Sequence, residues 1–287
     1  MNDRIEFGWL REQRTYAGTT FLIEPTSDYD EAICSVLETD QIDMDGWFYP
    51  PVMDGPPTRP VEAFQLKNTH VLAVDNQVDG AHSLSSLLIL VLSCLKGTRL
   101  LPAAWAHLFR VPTKEQQLCD FLVQDVAVIR VLELAVQFWL SNDSTVRRLM
   151  IGALHWHSFG RTYMHAFEVF GAQYTVLDAC WRMHQAVNKA SAPSHAGRVE
   201  KIANDLAVPL PAWAILKGKS SDLSTLRNAL IHEALWAGEP IGFSHPVAHR
   251  NIHRELYHFN SRIILALLGD RTRYTASTID RNMKMLR

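Results

Sequence analysis

Cysteine is scarce in this chain. Its 287 residues hold four, Cys34, Cys94, Cys119 and Cys180, and no two stand in a Cys-x-x-Cys pair. That spacing excludes a disulfide framework and a zinc knuckle, and reduced thiols in a cytoplasm are the expectation. An excess of charge of one sign is missing as well. The 28 Lys and Arg stand against 30 Asp and Glu, for a net charge of −2. A protein that coats nucleic acid without regard to sequence needs a large cationic surplus, so any contact with RNA is confined to a local site. Long apolar runs are also lacking. The longest, LSSLLILVLSCL from Leu84 to Leu95, is too short to span a bilayer and includes three serines, which fits a buried helix. The opening MNDRIEFGWLREQR has no apolar core of the kind a secretory leader carries, so a soluble cytoplasmic protein without membrane contact is expected. No Walker-type loop, GxGxxG or GxSxG occurs, and no Cys–His arrangement suits nucleophilic catalysis.

What is present is a hydrophobic content of 47%, enough for a substantial core. Up to residue 80 the pattern is strand-like. TTFLIEP, GWFYPP, VEAFQLK and THVLAVD are short segments separated by Pro, Gly and Asp. The five prolines in Tyr49–Pro60 make that stretch a loop. From His82 onward the periodicity is helical, with helices expected at 83–96, 115–140, 143–158, 161–188, 195–207, 222–237 and 246–268. Asn142 to Ser144 and Ser221 or Asp222 are suitable N-caps, and Pro246 suits a first helical turn. The fold expected is mainly α, α+β overall. A β-rich part spans 1–80, connecting helices 81–145, a helical bundle 146–270 and a polar, frayed tail 271–287. An alternative is that the helices from 83 to 140 pack on the β part and leave the bundle by itself.

One helix carries unusual chemistry. LRNALIHEALWAG, from Leu226 to Gly238, is mostly apolar, yet holds Arg227, Asn228 and His232. At about 100° per residue Asn228 and His232 share a face, bordered by Ile231 and Leu235, with Arg227 on its flank. Leu223, Leu226, Leu230, Ala234 and Ala237 lie opposite and form the stripe to be buried. A helix that is greasy on two sides with a polar pair inside one of them suits a partner on that side.

The C-terminal half resembles a HEPN domain, a helical module whose signature is Arg, four to six residues, then His. Here Arg227, four residues and His232 match it, and Asn228 is the polar residue that usually follows the Arg. RTYMHAFEVFGAQYTVLDACWRMH resembles the family's long first helix with an acid at its middle, Glu168 or Asp178. RVEKIANDL resembles the second helix and AHRNIHRELYHFNSRIILALLG the closing one. The resemblance covers roughly residues 160–270 and implies an antiparallel helical bundle whose site is completed by a homodimer. It implies metal-independent RNA cleavage, as in toxins and antiviral-defence effectors, with an antitoxin or a nucleotidyltransferase as a usual partner and no cofactor.

Physical chemistry suits that implication. RNA supplies its own nucleophile, the 2′-OH beside the scissile phosphate. An imidazole serves as base or acid near neutral pH, and a guanidinium fork matches phosphate oxygens. His232 is thus the acid/base candidate, Arg227 the phosphate clamp and Asn228 the orienting residue. Glu233 and Glu239 oppose a polyanion locally, and the alternative is a silent HEPN module that binds a nucleotide or partner protein.

Three other clusters have simpler readings. His245, His249 and His253 recur every four residues, a metal-ligand spacing, but Arg250, Arg254 and Arg262 are interleaved. A cationic helix edge is therefore favoured over a metal site, with Arg250, His253 and Arg254 as candidate RNA-backbone contacts. His155 and His157 are expected to pack, and Trp47, Phe48 and Tyr49 to cap the β-rich core, rather than to bind metal or a base.

Overall fold

A polar–apolar alternation over Arg4, Ile5, Glu6 and Phe7 forms strand β1 (Asp3–Gly8) in the computed structural model. The structure describes residues 3–50, 63–75, 80–103, 105–192, 194–241, 251–279 and 284–287. The chain divides into two units, Met1–Ser141 with Arg287 and Asn142–Leu286, and the fold is mixed α+β.

In the first unit β1 is followed by β2 (Tyr16–Ala17), β3 (Phe21–Pro25), α1 (Tyr29–Leu37), β4 (Trp47–Phe48), β5 (Ala63–Phe64) and β6 (His70–Val74). Then come α2 (Ala81–Lys96), β7 (Leu101–Pro102), β8 (His107–Leu108), β9 (Val111–Pro112), β10 (Phe121–Val123) and α3 (Asp125–Ser141). Five strands form an antiparallel sheet in the order β2-β3-β6-β1-β7. Leu72 of β6 lies between Ile5 and Ile23 of its two neighbours. The apolar run of α2 is buried against this sheet and α3, with Leu84, Leu87, Leu88 and Leu92 fully inaccessible. Two of its serines, Ser85 and Ser93, are buried too. Ser93 donates to the Thr98 carbonyl and accepts from the Leu100 amide, which anchors the chain leaving the helix. Phe48 packs with Trp9, Val36, Phe64 and Val111, while Trp47 stacks under Arg110 at 3.9 Å.

Several expectations are corrected here. Residues 115–124 are not helical. The amides of Gln116 and Leu118 bond to the Lys96 and Gly97 carbonyls, which ties the segment to the end of α2, and α3 starts only at Asp125. The strand β1 and the helix α1 were not anticipated. As in the alternative expectation, helices α2 and α3 belong to the first unit, and the second starts within the SNDS break.

The second unit holds α4 (Ser144–Gly160), α5 (Ala166–Asn188), α6 (Gly197–Leu206), a 3-10 turn (Ala212–Ala214), α7 (Asp222–Glu233), a hairpin β11 (Leu235–Trp236) and β12 (Glu239–Pro240), and α8 (Ile252–Leu267). Asp143 caps α4 by accepting from the Thr145 and Val146 amides. The helix expected from residue 161 starts at Ala166, because His165 and Glu168 make a capping box there. Helices α4, α5 and α8 pack on one another around a buried polar seam. His157 bridges Gln173 Oε1 (2.9 Å) and Ser261 Oγ (3.0 Å) and stacks on Tyr257 at 4.1 Å, and Asn260 donates to the Gln173 carbonyl. His155 stacks on Phe159.

The tail is not frayed where it is described. Arg262, expected on a cationic helix edge, is completely buried. Its guanidinium bonds to the carbonyls of His258, Ser277 and Thr278 and to the hydroxyls of Tyr274 and Ser277, which folds residues 270–278 onto α8. Among the described residues no helix is long and apolar enough to cross a membrane. Pro246, His245, His249 and Arg250 lie outside the described residues, as does most of the proline loop.

Candidate functional site

The motif helix α7 starts at Ser221, whose hydroxyl accepts from the Ser224 amide while the Ser224 hydroxyl accepts from the Ser221 amide. It is shorter than expected. Ala234 adopts a left-handed conformation with φ 55°, which ends the helix after Glu233. Leu235 to Pro240 then turn back as a hairpin, with positive φ at both Ala237 (54°) and Gly238 (89°), as a two-residue type I′ loop requires. The hairpin lays Trp236 against Phe170 of α5, ring centroids 5.4 Å apart.

The expected burial stripe is only partly realised. Leu223 is buried, Leu226 and Leu230 are half-buried, and Ala234 and Ala237 have left the helix. On the other side Asn228 and His232 are exposed and Ile231 is 58% exposed, so the polar face is open in a single chain. Among the described residues nothing fills it.

Arg227, Asn228 and His232 converge. One nitrogen of the Arg227 fork, Nη1, donates to Asn228 Oδ1 at 3.0 Å and contacts His232 Nε2 at 2.7 Å. A guanidinium has no acceptor, so Nε2 of His232 must be the unprotonated ring nitrogen in this contact. Arg227 Nε is buried with no hydrogen-bond partner, a state that costs about 1–3 kcal/mol. Its guanidinium also stands 5.8 Å from the centre of the Tyr174 ring.

Tyr174 leads to residues that sequence reasoning missed. The Tyr174 hydroxyl is hydrogen-bonded to His195 Nδ1 at 3.2 Å and the two rings stack. Asp178, one turn along α5, lies 3.9 Å from His195 Nε2 and 3.5 Å from Arg198 Nη1. Partial burial, the Arg198 charge and the Arg227 charge hold the His195 imidazole below its usual range, against the pull of Asp178. Burial, with help from Asp178, pushes the Tyr174 phenol up to about 12. Of the two acids considered at the middle of α5, Asp178 belongs to this group and Glu168 serves the capping box. No local pattern marks His195, which sits in a Ser-Ala-Pro-Ser loop and reaches the site only by folding.

Tyr174, Asp178 and Arg227 line a cleft of about 370 Å³ with Leu149, Phe170, Gly171, Thr175, Ala179, Arg182, Leu230 and Ile231, whereas Asn228, His232, His195 and Arg198 are not in its lining. That volume is within the ~300–1,000 Å³ typical of small-molecule sites. A larger cleft of about 650 Å³ lies in the first unit between Arg11, Glu12, Arg14, Lys96, Glu115 and Asp125. Three basic residues face three acidic ones there, and Lys96 pairs with Glu12 at 2.5 Å and Arg14 with Glu12 and Asp125, so it offers no surplus of either sign.

The expected RNA-backbone patch fares differently. His253 and Arg254 are not among the residues that line the smaller cleft. Burial and the neighbouring Arg254 and Arg161 push His253 down to about 4, so it adds no positive charge near neutral pH. Arg254 is exposed, and Arg250 lies outside the described residues. Among the described residues no group of His, Cys, Asp and Glu is placed to hold a metal ion. In comparisons with known proteins, no family model, curated protein or solved structure matches the chain.

Proposed function

We propose that the protein is a HEPN-type, metal-independent endoribonuclease, acting as a toxin or antiviral-defence effector, with Arg227, Asn228 and His232 as its catalytic group. The observation that carries this reading is the 2.7 Å contact between Arg227 Nη1 and His232 Nε2, with Asn228 on the same guanidinium, on an exposed helix face. The helical content of the second unit supports this reading.

In this reading the resting contact is exchanged for substrate. Phosphate oxygens compete for the Arg227 fork, which frees the lone pair on His232 Nε2. His232 then removes the 2′-OH proton, O2′ attacks phosphorus, and the P–O5′ bond breaks. The products are a 2′,3′-cyclic phosphate and a 5′-hydroxyl, the latter taking its proton from an acid. Asn228 holds the guanidinium in line. In a symmetric homodimer the open Asn228–Ile231–His232 face meets its own copy, and the second His232 is that acid.

The test is cleavage of single-stranded RNA by the purified protein in EDTA. Cyclic-phosphate ends are expected from the wild type, with a loss of at least ~100-fold, or about 3 kcal/mol, in His232→Ala and Arg227→Ala. Undiminished cleavage in both variants overturns the assignment.

A further inference from the structure

Two opposite charges in the first unit face one cleft and do not meet. The cleft of about 650 Å³ is bounded by the loop after β1, the last residue of α2, the turn at 115–116 and the start of α3. Four of its charged residues satisfy one another. Lys96, with its side chain 5% exposed, stands 2.5 Å from Glu12 and 4.0 Å from Asp125, and 5.1 Å from the centre of the Tyr16 ring. Arg14 pairs with both carboxylates, and the Tyr16 hydroxyl donates to Glu12 at 3.1 Å. That network is neutral and closed. Arg11 and Glu115 are left over, and among the described residues neither has an ion pair.

Glu115 Oε1 is shut off from water and accepts no hydrogen bond, so a donor brought into the cleft would relieve it. Arg11 is exposed and keeps its guanidinium fork for an acceptor. Burial and the Glu115 charge push the Tyr29 phenol up to about 12, against the pull of Arg11, so both side chains lie within electrostatic reach of one ring. Gln116 has φ 69°, a left-handed conformation that glycine holds without strain and a longer side chain resists. Its amide donates to the Lys96 carbonyl at 2.6 Å, a bond that glycine would make as well. What glutamine adds is a carboxamide on the cleft wall, a donor and an acceptor together. Among the described residues of the lining only Val123 is apolar, so a greasy ligand finds little to pack against.

We propose that this cleft binds a small zwitterion, a free amino acid with a polar side chain, its carboxylate toward Arg11, its ammonium toward Glu115 and its side chain toward Gln116. An anion alone leaves Glu115 unrelieved, and a cation alone leaves Arg11 without an acceptor. A sugar supplies donors but no charge for either. Every residue of the site belongs to the first unit, so the inference does not depend on the ribonuclease reading.

Calorimetric titration of the full chain with each of the proteinogenic L-amino acids tests it, with the α-N-acetyl and the α-carboxamide derivatives of any binder as controls. At least one amino acid with a polar side chain is expected to bind. Each derivative is expected to bind at least tenfold more weakly, because each lacks one of the two charges. Glu115→Gln is expected to weaken binding at least tenfold with an unchanged or raised melting temperature, since it removes an unpaired carboxylate from a half-buried place. Gln116→Gly is expected to weaken it several-fold, again without loss of stability, since glycine relieves the backbone. Both variants separate a binding role from a structural one. Absence of binding to every amino acid overturns the proposal, as does a preference for leucine or phenylalanine. Derivatives that bind as well as their parent, or wild-type affinity in Glu115→Gln, also overturn it. So does a sharp drop in the melting temperature of Glu115→Gln, because the carboxylate would then be a partner within the fold.

Discussion

The geometry of the Arg227–His232 contact fixes which nitrogen of the imidazole carries the proton. Because Arg227 Nη1 is 2.7 Å from His232 Nε2 and can only donate, a neutral His232 must bear its hydrogen on Nδ1. His232 is exposed, so water competes and the net strength of the contact is modest, about 0.5–1.5 kcal/mol. That corresponds to a bias of roughly 2- to 10-fold in the tautomer ratio. Arg227→Met removes the donor and keeps most of the side-chain bulk, so the ratio is expected to move toward Nε2–H by that factor. Long-range ¹H–¹⁵N spectra of ¹⁵N-histidine-labelled protein distinguish the two tautomers directly. Phosphate or a non-cleavable oligonucleotide added to wild type is expected to shift the spectrum in the same direction, since it draws Arg227 away. An unchanged tautomer ratio in Arg227→Met refutes the contact as the force that orients His232. It would also remove the step in which substrate frees Nε2.

Two further predictions concern stability. Arg262→Met strips five hydrogen bonds from a fully buried guanidinium and is expected to cost about 3–5 kcal/mol in urea unfolding, with faster amide exchange in residues 270–278; a loss below ~1 kcal/mol contradicts the anchoring role. Burial pushes His70 down to about 4 and His107 to about 3, so between those values and the ordinary imidazole pKa the unfolded chain binds more protons than the folded one. Stability therefore falls with acidification, by on the order of 2 kcal/mol for each histidine between pH ~7 and ~5. His107→Phe, which preserves the stack on Phe64, is expected to remove about 2 kcal/mol of that pH dependence, to which His253 adds as well, and an unchanged slope refutes the assignment.

Much of the helical architecture was legible because its period is strong over long stretches. The boundaries of α2, α4 and α6 follow from apolar spacing and from signals such as Asp143 and Gly97. What escaped reading was structure decided by partners distant in sequence. The segment 115–124 has a helical look, yet its amides are taken by the end of α2. The alternation in Asp3–Gly8 was visible but short, and its place between β6 and β7 comes from pairing with residues far along the chain. The tail looked polar and unanchored because its anchor, Arg262, is itself a charged residue. Burial of a guanidinium runs against the usual preference for the surface and becomes sensible only once the carbonyls and hydroxyls around it are placed.

The candidate site divides in the same way. Arg227, Asn228 and His232 were legible because one helix brings them together, and their spacing alone sets their mutual reach. Tyr174, Asp178, His195 and Arg198 come from a second helix and a loop, joined only by packing. Their discovery changes the chemistry of the motif. Glu233 had implied an unfavourable field for a phosphate, but it is exposed at the end of α7, whereas the cleft at Arg227 adds Arg182, with Arg198 at its edge, against the one carboxylate of Asp178. Arg182 is itself exposed, so the balance rests on number: two guanidiniums line the cleft against one carboxylate, and Glu233 does not line it. The positive balance of the cleft thus comes in part from Arg182, a residue that no motif contains.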